Sequence, residues 1–229
     1  MKPGKFSRFA LALVITLITG FSATVRGASA KKENAPQAAS GVATFRSIGR
    51  NDGFTREYAD DYWIGGSINS TAATIVVGDD QVRRLTMGIL DFDTSALPDT
   101  AIVTYATLEV RVTRYNTRFG DPYFLIGDMY ADIAAPYFGA DYTLEAQDFE
   151  SPSSGYAGFF WPVTGPGQWA LMDVDMLALS MIDVFDHTQF RLYFFDDNED
   201  IYPHGLSFAS GNALRTTHRP LLTVYYDVP

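Results

Sequence analysis

The sequence predicts an all-β fold, an antiparallel two-sheet sandwich with one short helix, on three observations. About ten runs with strand character are separated by clusters of Gly, Pro, Asn and Asp, the pattern of short antiparallel strands. The clearest run, residues 105–113, alternates strictly. Ala106, Leu108, Val110 and Val112 fall on one face, and Tyr105, Thr107, Glu109, Arg111 and Thr113 on the other. That is expected of a strand with one face in a core and one in water. Only residues 175–184 read as a short helix, and no solenoid-like repeat occurs.

Residues 1–30 stand outside this fold. Lys2, Lys5 and Arg8 precede an apolar run over 9–18, and Ala28-Ser29-Ala30 supplies the small residues of a cleavage site. The segment reads as a secretory signal peptide, so a secreted, extracellular or periplasmic protein is expected. Its apolar run is about half of the roughly 20 residues that span a bilayer, so no membrane span is expected after cleavage. The chain has no cysteine, which excludes a lipid anchor through an N-terminal cysteine and leaves stability to the core or to bound ions. Four of the 17 basic residues leave with the signal while all 27 acidic ones remain, a formal charge of −14. Nucleic acid is therefore not an expected partner, because a phosphate backbone needs a basic face.

Residues 31–43, small and polar with Pro36, read as a flexible tether, and residues 44–229 as one β-sandwich domain. Within the domain, 44–48 is an edge-strand candidate, and Asn51-Asp52-Gly53 is either a plain turn or a calcium-ligand loop. Residues 57–70 read as a loop carrying Tyr58, Tyr62 and Trp63 among acidic residues. Residues 74–77 form a strand closed by Gly78-Asp79-Asp80, and Arg83-Arg84 leads into a central hairpin of 88–93 and 105–113. Its connector holds Leu97-Pro98-Asp99, in which Pro98 fixes its own φ. A loop over 115–121 precedes a strand pair over 124–133 around Gly127-Asp128, a turn at 136–139 and a single helical turn near 144–149. Residues 151–167 form the longest irregular segment, with Phe159, Phe160 and Trp161 adjacent. A strand over 169–174 leads to Asp175, which caps the short helix with Met176, Leu179 and Ile182 inward. Strands at 189–194, 206–208 and 222–226 complete the set.

A resemblance accompanies this pattern. Arg84, the run GILDFDTSALP at 88–98, Ala101-Ile102 and Ala106-Thr107-Leu108, with FASGNA at 208–213 and RPLLTVYY at 219–226, resemble the secreted DNRLRE-type jelly-roll modules, which are similar to carbohydrate-binding modules. The likeness covers residues 52–226, and the six-residue motif that names the family does not occur. It implies a jelly-roll topology and a non-catalytic module that takes a polysaccharide or other glycan as its partner.

Several side chains suit that chemistry. Tyr62 and Trp63, and Phe160 and Trp161, offer rings that can stack on the apolar faces of sugars, with Arg118 as a hydrogen-bonding neighbour. Each aromatic group can equally plug an end of the sandwich. Asp196, Asn198 and Asp200 place hard oxygen donors at alternate positions that can converge on structural Ca²⁺, with Asp52 and backbone carbonyls completing the shell. The alternative is a solvated acidic turn that protects a sheet edge. The run is not an EF-hand, since Ile201 stands at the sixth loop position and Ser207 at the twelfth.

Catalytic motifs are absent from the sequence: His187, His204 and His218 are isolated, and no Gly-x-Ser-x-Gly occurs. Gln189, Arg191 and Tyr193 share one face of a strand and read as ordinary outward residues. A structural or adhesive surface protein is the second reading, and a polysaccharide lyase or glycoside hydrolase the third.

Overall fold

The computed structural model describes residues 39–60, 62–118, 120–195 and 202–229. Twelve strands among these residues form a curled, wholly antiparallel sheet. In chain order they are β1 (Ala39–Arg46), β2 (Gly53–Glu57), β3 (Gly65–Asn69), β4 (Thr74–Asp79), β5 (Leu85–Asp93) and β6 (Ile102–Tyr115). After these come β7 (Met129–Ala134), β8 (Gly155–Phe159), β9 (Trp169–Asp173), β10 (His187–Phe194), β11 (His204–Ala209) and β12 (Leu221–Val228). One α-helix, α1 (Pro122–Ile126), precedes β7. The pairing path runs β1-β12-β6-β11-β4-β5-β10-β7-β8, with the β2-β3 hairpin joined to β5 and β9 joined to β6.

The alternation read in β6 is the alternation observed. Ala106, Leu108, Val110 and Val112 are fully buried and pack in the main core with Phe92, Phe190, Phe194, Phe208, Leu222 and Val224. β5 behaves differently. All its residues except Asp93 are buried, so both faces are covered. Leu90 and Phe92 join the main core. On the opposite face Ile89 packs with Ala134, Phe138 and Leu144, and Leu85 and Met87 pack with Phe149. The segment 136–151 therefore lies over the outer face of β5 and β10. A strand apolar on both faces is the expected sequence of a strand covered twice.

Several expectations are corrected. β1 begins at Ala39, inside the segment 31–43 read as a tether. β5 and β6 do not form a hairpin: β5 pairs with β2, β4 and β10, and β6 with β9, β11 and β12. The 57–70 loop is in large part a β-hairpin, since β2 pairs with β3. Residues 122–126 are helical, because the Asp121 carboxylate accepts the Tyr123 N–H and Pro122 occupies the first turn. β8 interrupts the segment 151–167 read as irregular.

The helix read over 175–184 is instead a turn and a single 3₁₀ turn at Leu179–Met181. Asp175 does bond the Leu177 N–H at 2.9 Å, and Ile182 is buried in the main core with Leu179 packed against it, but Met176 points outward, 78% exposed. No described helix is long and apolar enough to cross a membrane.

Candidate functional site

Where the covering segment meets the β2-β3 hairpin, a cleft of about 510 Å³ opens on the outer face of the sheet. Its lining includes Trp63 from the hairpin tip, Leu85 and Met87 from β5, Phe149 from the covering segment, Asp132 from β7, and Arg191, Tyr193 and Phe195 from β10 and its end.

The walls are tied together by polar contacts. Gly65 N–H donates to Glu150 Oε2 at 2.8 Å and the Thr55 hydroxyl to the Ala146 carbonyl at 3.2 Å. Gly65 itself runs so close to the Ala146 carbonyl that a Cβ there would collide with it. Trp63 has a left-handed backbone, φ 52°, unusual for a bulky residue. Its N–H donates to Glu57 Oε1 at 2.6 Å, while Glu57 Oε2 accepts the Leu85 N–H at 3.3 Å. Glu57 is buried, so a single carboxylate clamps the hairpin tip to β5 and leaves the indole 56% exposed at the rim.

The floor is polar. Register places Arg191 opposite Asp132, and Tyr193 opposite Tyr130. Arg191 Nη2 donates to Asp132 Oδ2 at 2.9 Å, and Nη1 to the carbonyls of Asp148, Phe149 and Ser151 at 2.9, 3.1 and 2.7 Å. Its guanidinium also lies 4.6 Å from the Phe138 ring centre. The Tyr193 hydroxyl donates to Asp132 Oδ1 at 3.3 Å. Burial, followed by the Asp132 charge, pushes the Tyr193 phenol up to about 12. That group is therefore a neutral hydrogen-bonding hydroxyl at ordinary pH.

Gln189 and Arg191 are thus not outward residues. Gln189 accepts the Phe138 N–H at 2.9 Å and donates to the Tyr142 carbonyl at 3.0 Å, so both ends of its amide serve the covering segment. Sequence inspection put Tyr193 on the correct face of β10 and did not find Asp132 or Glu57. The signal for the covering layer was the apolar run of β5 on both its faces.

The five ligand-binding candidates do not converge. Trp63 lines the cleft, and Tyr62 is exposed beside it with its ring 6.1 Å from that of Tyr58. Phe160 is buried in the main core and is no platform residue. Alternation sends Phe159 and Trp161 to one side, where their rings lie 5.1 Å apart, and Phe160 to the other. Trp161 is exposed but outside the cleft. Arg118 is also outside it, with its guanidinium 4.4 Å from the Tyr202 ring centre.

The metal candidates divide as well. Asp196, Asn198 and Asp200 lie outside the described residues. Asp52 is fully buried, and its two oxygens accept the N–H groups of Asp91 at 2.9 Å and Gly211 at 2.8 Å. Burial pushes its carboxyl up to about 7. Asp52 is thus a pin between backbone segments. Among the described residues no group of three or more acidic, histidine or cysteine side chains is placed to hold a metal.

His187 pairs with buried Asp91 at 2.8 Å and stacks on Tyr142, with ring centres 4.5 Å apart at 10°. It does not line the cleft. The cleft therefore offers aromatic walls and a hydrogen-bonding floor whose one cation, among the described lining residues, is already paired. No protein-family model matches this chain, and no curated protein does.

Proposed function

We propose that this protein is an exported, non-catalytic glycan-binding module of jelly-roll type, with the Trp63 cleft as its binding site. The observation that carries the reading is the placing of the exposed Trp63 indole and the rings of Tyr193 and Phe195 around the Asp132–Arg191 floor. Sugar rings have apolar C–H faces and hydroxylated edges, and a concave site with aromatic walls and a few fixed polar groups suits both. The jelly-roll topology rests on the division of β6, which pairs with β12 and β9 through its first ten residues and with β11 through its last four.

The lyase reading is weakened by the same geometry. Such chemistry needs an arginine or amide to neutralise a substrate carboxylate and a base of accessible pKa. Arg191 and Gln189 are committed to backbone carbonyls and amides, and the Tyr193 phenol is shifted away from deprotonation. The adhesive reading has one observation in its favour, the exposure of the apolar side chains of Met176, Leu177 and Phe185 in the segment between β9 and β10.

A glycan-array screen with Ca²⁺ and with EDTA, using the wild type and Trp63→Ala, tests the proposal. Binding that is lost in Trp63→Ala without a fall in melting temperature supports it. Silence in both conditions, or binding unaffected by the substitution, defeats it.

A further inference from the structure

The cleft does not end at Tyr193. The ring of Tyr193 on β10 stacks against that of Tyr130 on β7, with centres 6.2 Å apart at 30°. Tyr130 in turn lies 6.3 Å from Tyr156 on β8, at 50°, and 6.5 Å from Phe195, at 71°. β7, β8 and β10 are consecutive neighbours and β8 is the last strand of the pairing path. Register sets Tyr193 opposite Tyr130 and Tyr156 opposite Asp132, so the three tyrosines, one from each strand, form a row that runs obliquely across the strands. Tyr156 stands at its open end, 44% exposed. Beside this row Gln189 and Arg191 are covered by the 136–151 segment, whereas Tyr156 is left open.

Carboxylates flank the row, and the cation beside it, Arg191, is paired with one of them. Asp132 lines the cleft, pairs with Arg191 and stands opposite Tyr156 in register. Asp175, whose N–H donates to the Ala157 carbonyl at 2.7 Å, is set next to Tyr156, and Asp128 stands two residues before Tyr130. Burial first, then the Tyr130 hydroxyl and these two charges, holds the Tyr156 phenol above its usual value. Carboxylates accept hydrogen bonds from sugar hydroxyls and repel uronate or sulfate groups.

We infer that the ligand is an extended, uncharged polysaccharide chain that leaves the cleft at Tyr193 and continues over Tyr130 and Tyr156. This inference rests on the glycan-binding reading of the cleft and adds the ligand's length and charge. An open row beside a cleft accommodates the interior of a chain. A site for a single terminal sugar would need only the cleft.

The test uses affinity electrophoresis of the purified protein in gels containing neutral polymers (xylan, glucomannan and mixed-linkage β-glucan) or polyuronates (alginate and polygalacturonate). Calorimetry then uses di- to hexasaccharides of the neutral polymer that retards migration. Affinity is expected to rise with chain length. Tyr156→Ala is expected to weaken the hexasaccharide by roughly three- to tenfold, the worth of one aromatic contact, while leaving the disaccharide unchanged. Trp63→Ala is expected to weaken every length.

Equal affinity for all lengths, or a hexasaccharide unaffected by Tyr156→Ala, overturns the extended row and leaves the cleft standing. Preferential retardation by the polyuronates overturns the charge assignment. Loss of length dependence together with indifference to Trp63→Ala overturns the cleft and the row alike.

Discussion

The Glu57 carboxylate accepts the backbone N–H of Trp63 at 2.6 Å, and this bond holds an exposed indole on a left-handed backbone at the rim of the cleft. Strained backbone of this kind costs about 1–3 kcal/mol and persists where its surroundings over-determine it. Here the surroundings are one carboxylate with two N–H donors, Trp63 and Leu85, on separate strands' ends.

Glu57→Gln should therefore act in two ways. An amide has one acceptor oxygen, so one of the two N–H groups meets an NH₂ and is left unsatisfied, at a cost of about 1–3 kcal/mol. Denaturant unfolding should show that loss. Glycan affinity should fall in parallel as the indole loses its fixed position. Unchanged affinity with reduced stability would confine Glu57 to a folding role.

Arg191 is the second anchor, and its removal should open the covering segment selectively. Losing the partner of a buried ion pair costs about 3–5 kcal/mol, and here the carbonyls of Asp148, Phe149 and Ser151 lose their donor too. In Arg191→Met, hydrogen exchange should accelerate over residues 145–151 more than over β6. Uniform acceleration across the domain would contradict a local latch.

The main core gives a simpler expectation. Phe92 meets Phe190 edge to face, with centres 6.0 Å apart at 79°, and both are fully buried, as is Leu108. Phe92→Ala and Leu108→Ala should each destabilise by roughly 2–5 kcal/mol. Trp161→Ala, at an exposed indole, should stay within about 0.5 kcal/mol of wild type. A large effect at Trp161 would reveal packing that its exposure conceals.

How much of the fold and site was legible in the sequence depends on which contacts are local. The inward face of β6 was readable because a one-sided strand writes its burial as alternation. The partners of β5 were not, since β2 and β10 approach it from distant parts of the chain, and proximity in sequence suggested β6 instead. The start of α1 carried a readable signal in Asp121-Pro122, outweighed by the strand-like composition of Tyr123, Phe124, Leu125 and Ile126. At the site, Trp63 was recognisable as an aromatic in a polar loop. Asp132 and Arg191 meet only through the register of β7 with β10, and adjacency misled at Phe160, since neighbouring strand residues face opposite ways.

Acidity should stabilise the domain through Asp148 and Asp52. The Asp148 side chain is buried, and one oxygen accepts the Glu145 N–H at 2.8 Å. Burial pushes its carboxyl, like that of Asp52, up to about 7. For an acid whose folded value lies above its unfolded one, the folded state binds the extra proton. The resulting stabilisation is complete below the unfolded value near pH 4 and is lost as pH rises through about 7. Asp80, Asp93 and Asp141 are shifted the other way, downward from 3.8, so their opposing contribution falls at more acidic pH. The melting temperature should accordingly rise from pH 8 to pH 5, through a contribution of order 1 to 4 kcal/mol from each buried carboxyl. Asp148→Asn keeps an acceptor for the Glu145 N–H and carries no charge. It should raise the melting temperature at pH 8 and flatten the rise toward pH 5, leaving the part owed to Asp52 and to Asp91, whose carboxyl is likewise raised by burial. A wild type equally stable at both pH values would show that water reaches these carboxylates and that they stay ionised in the folded protein.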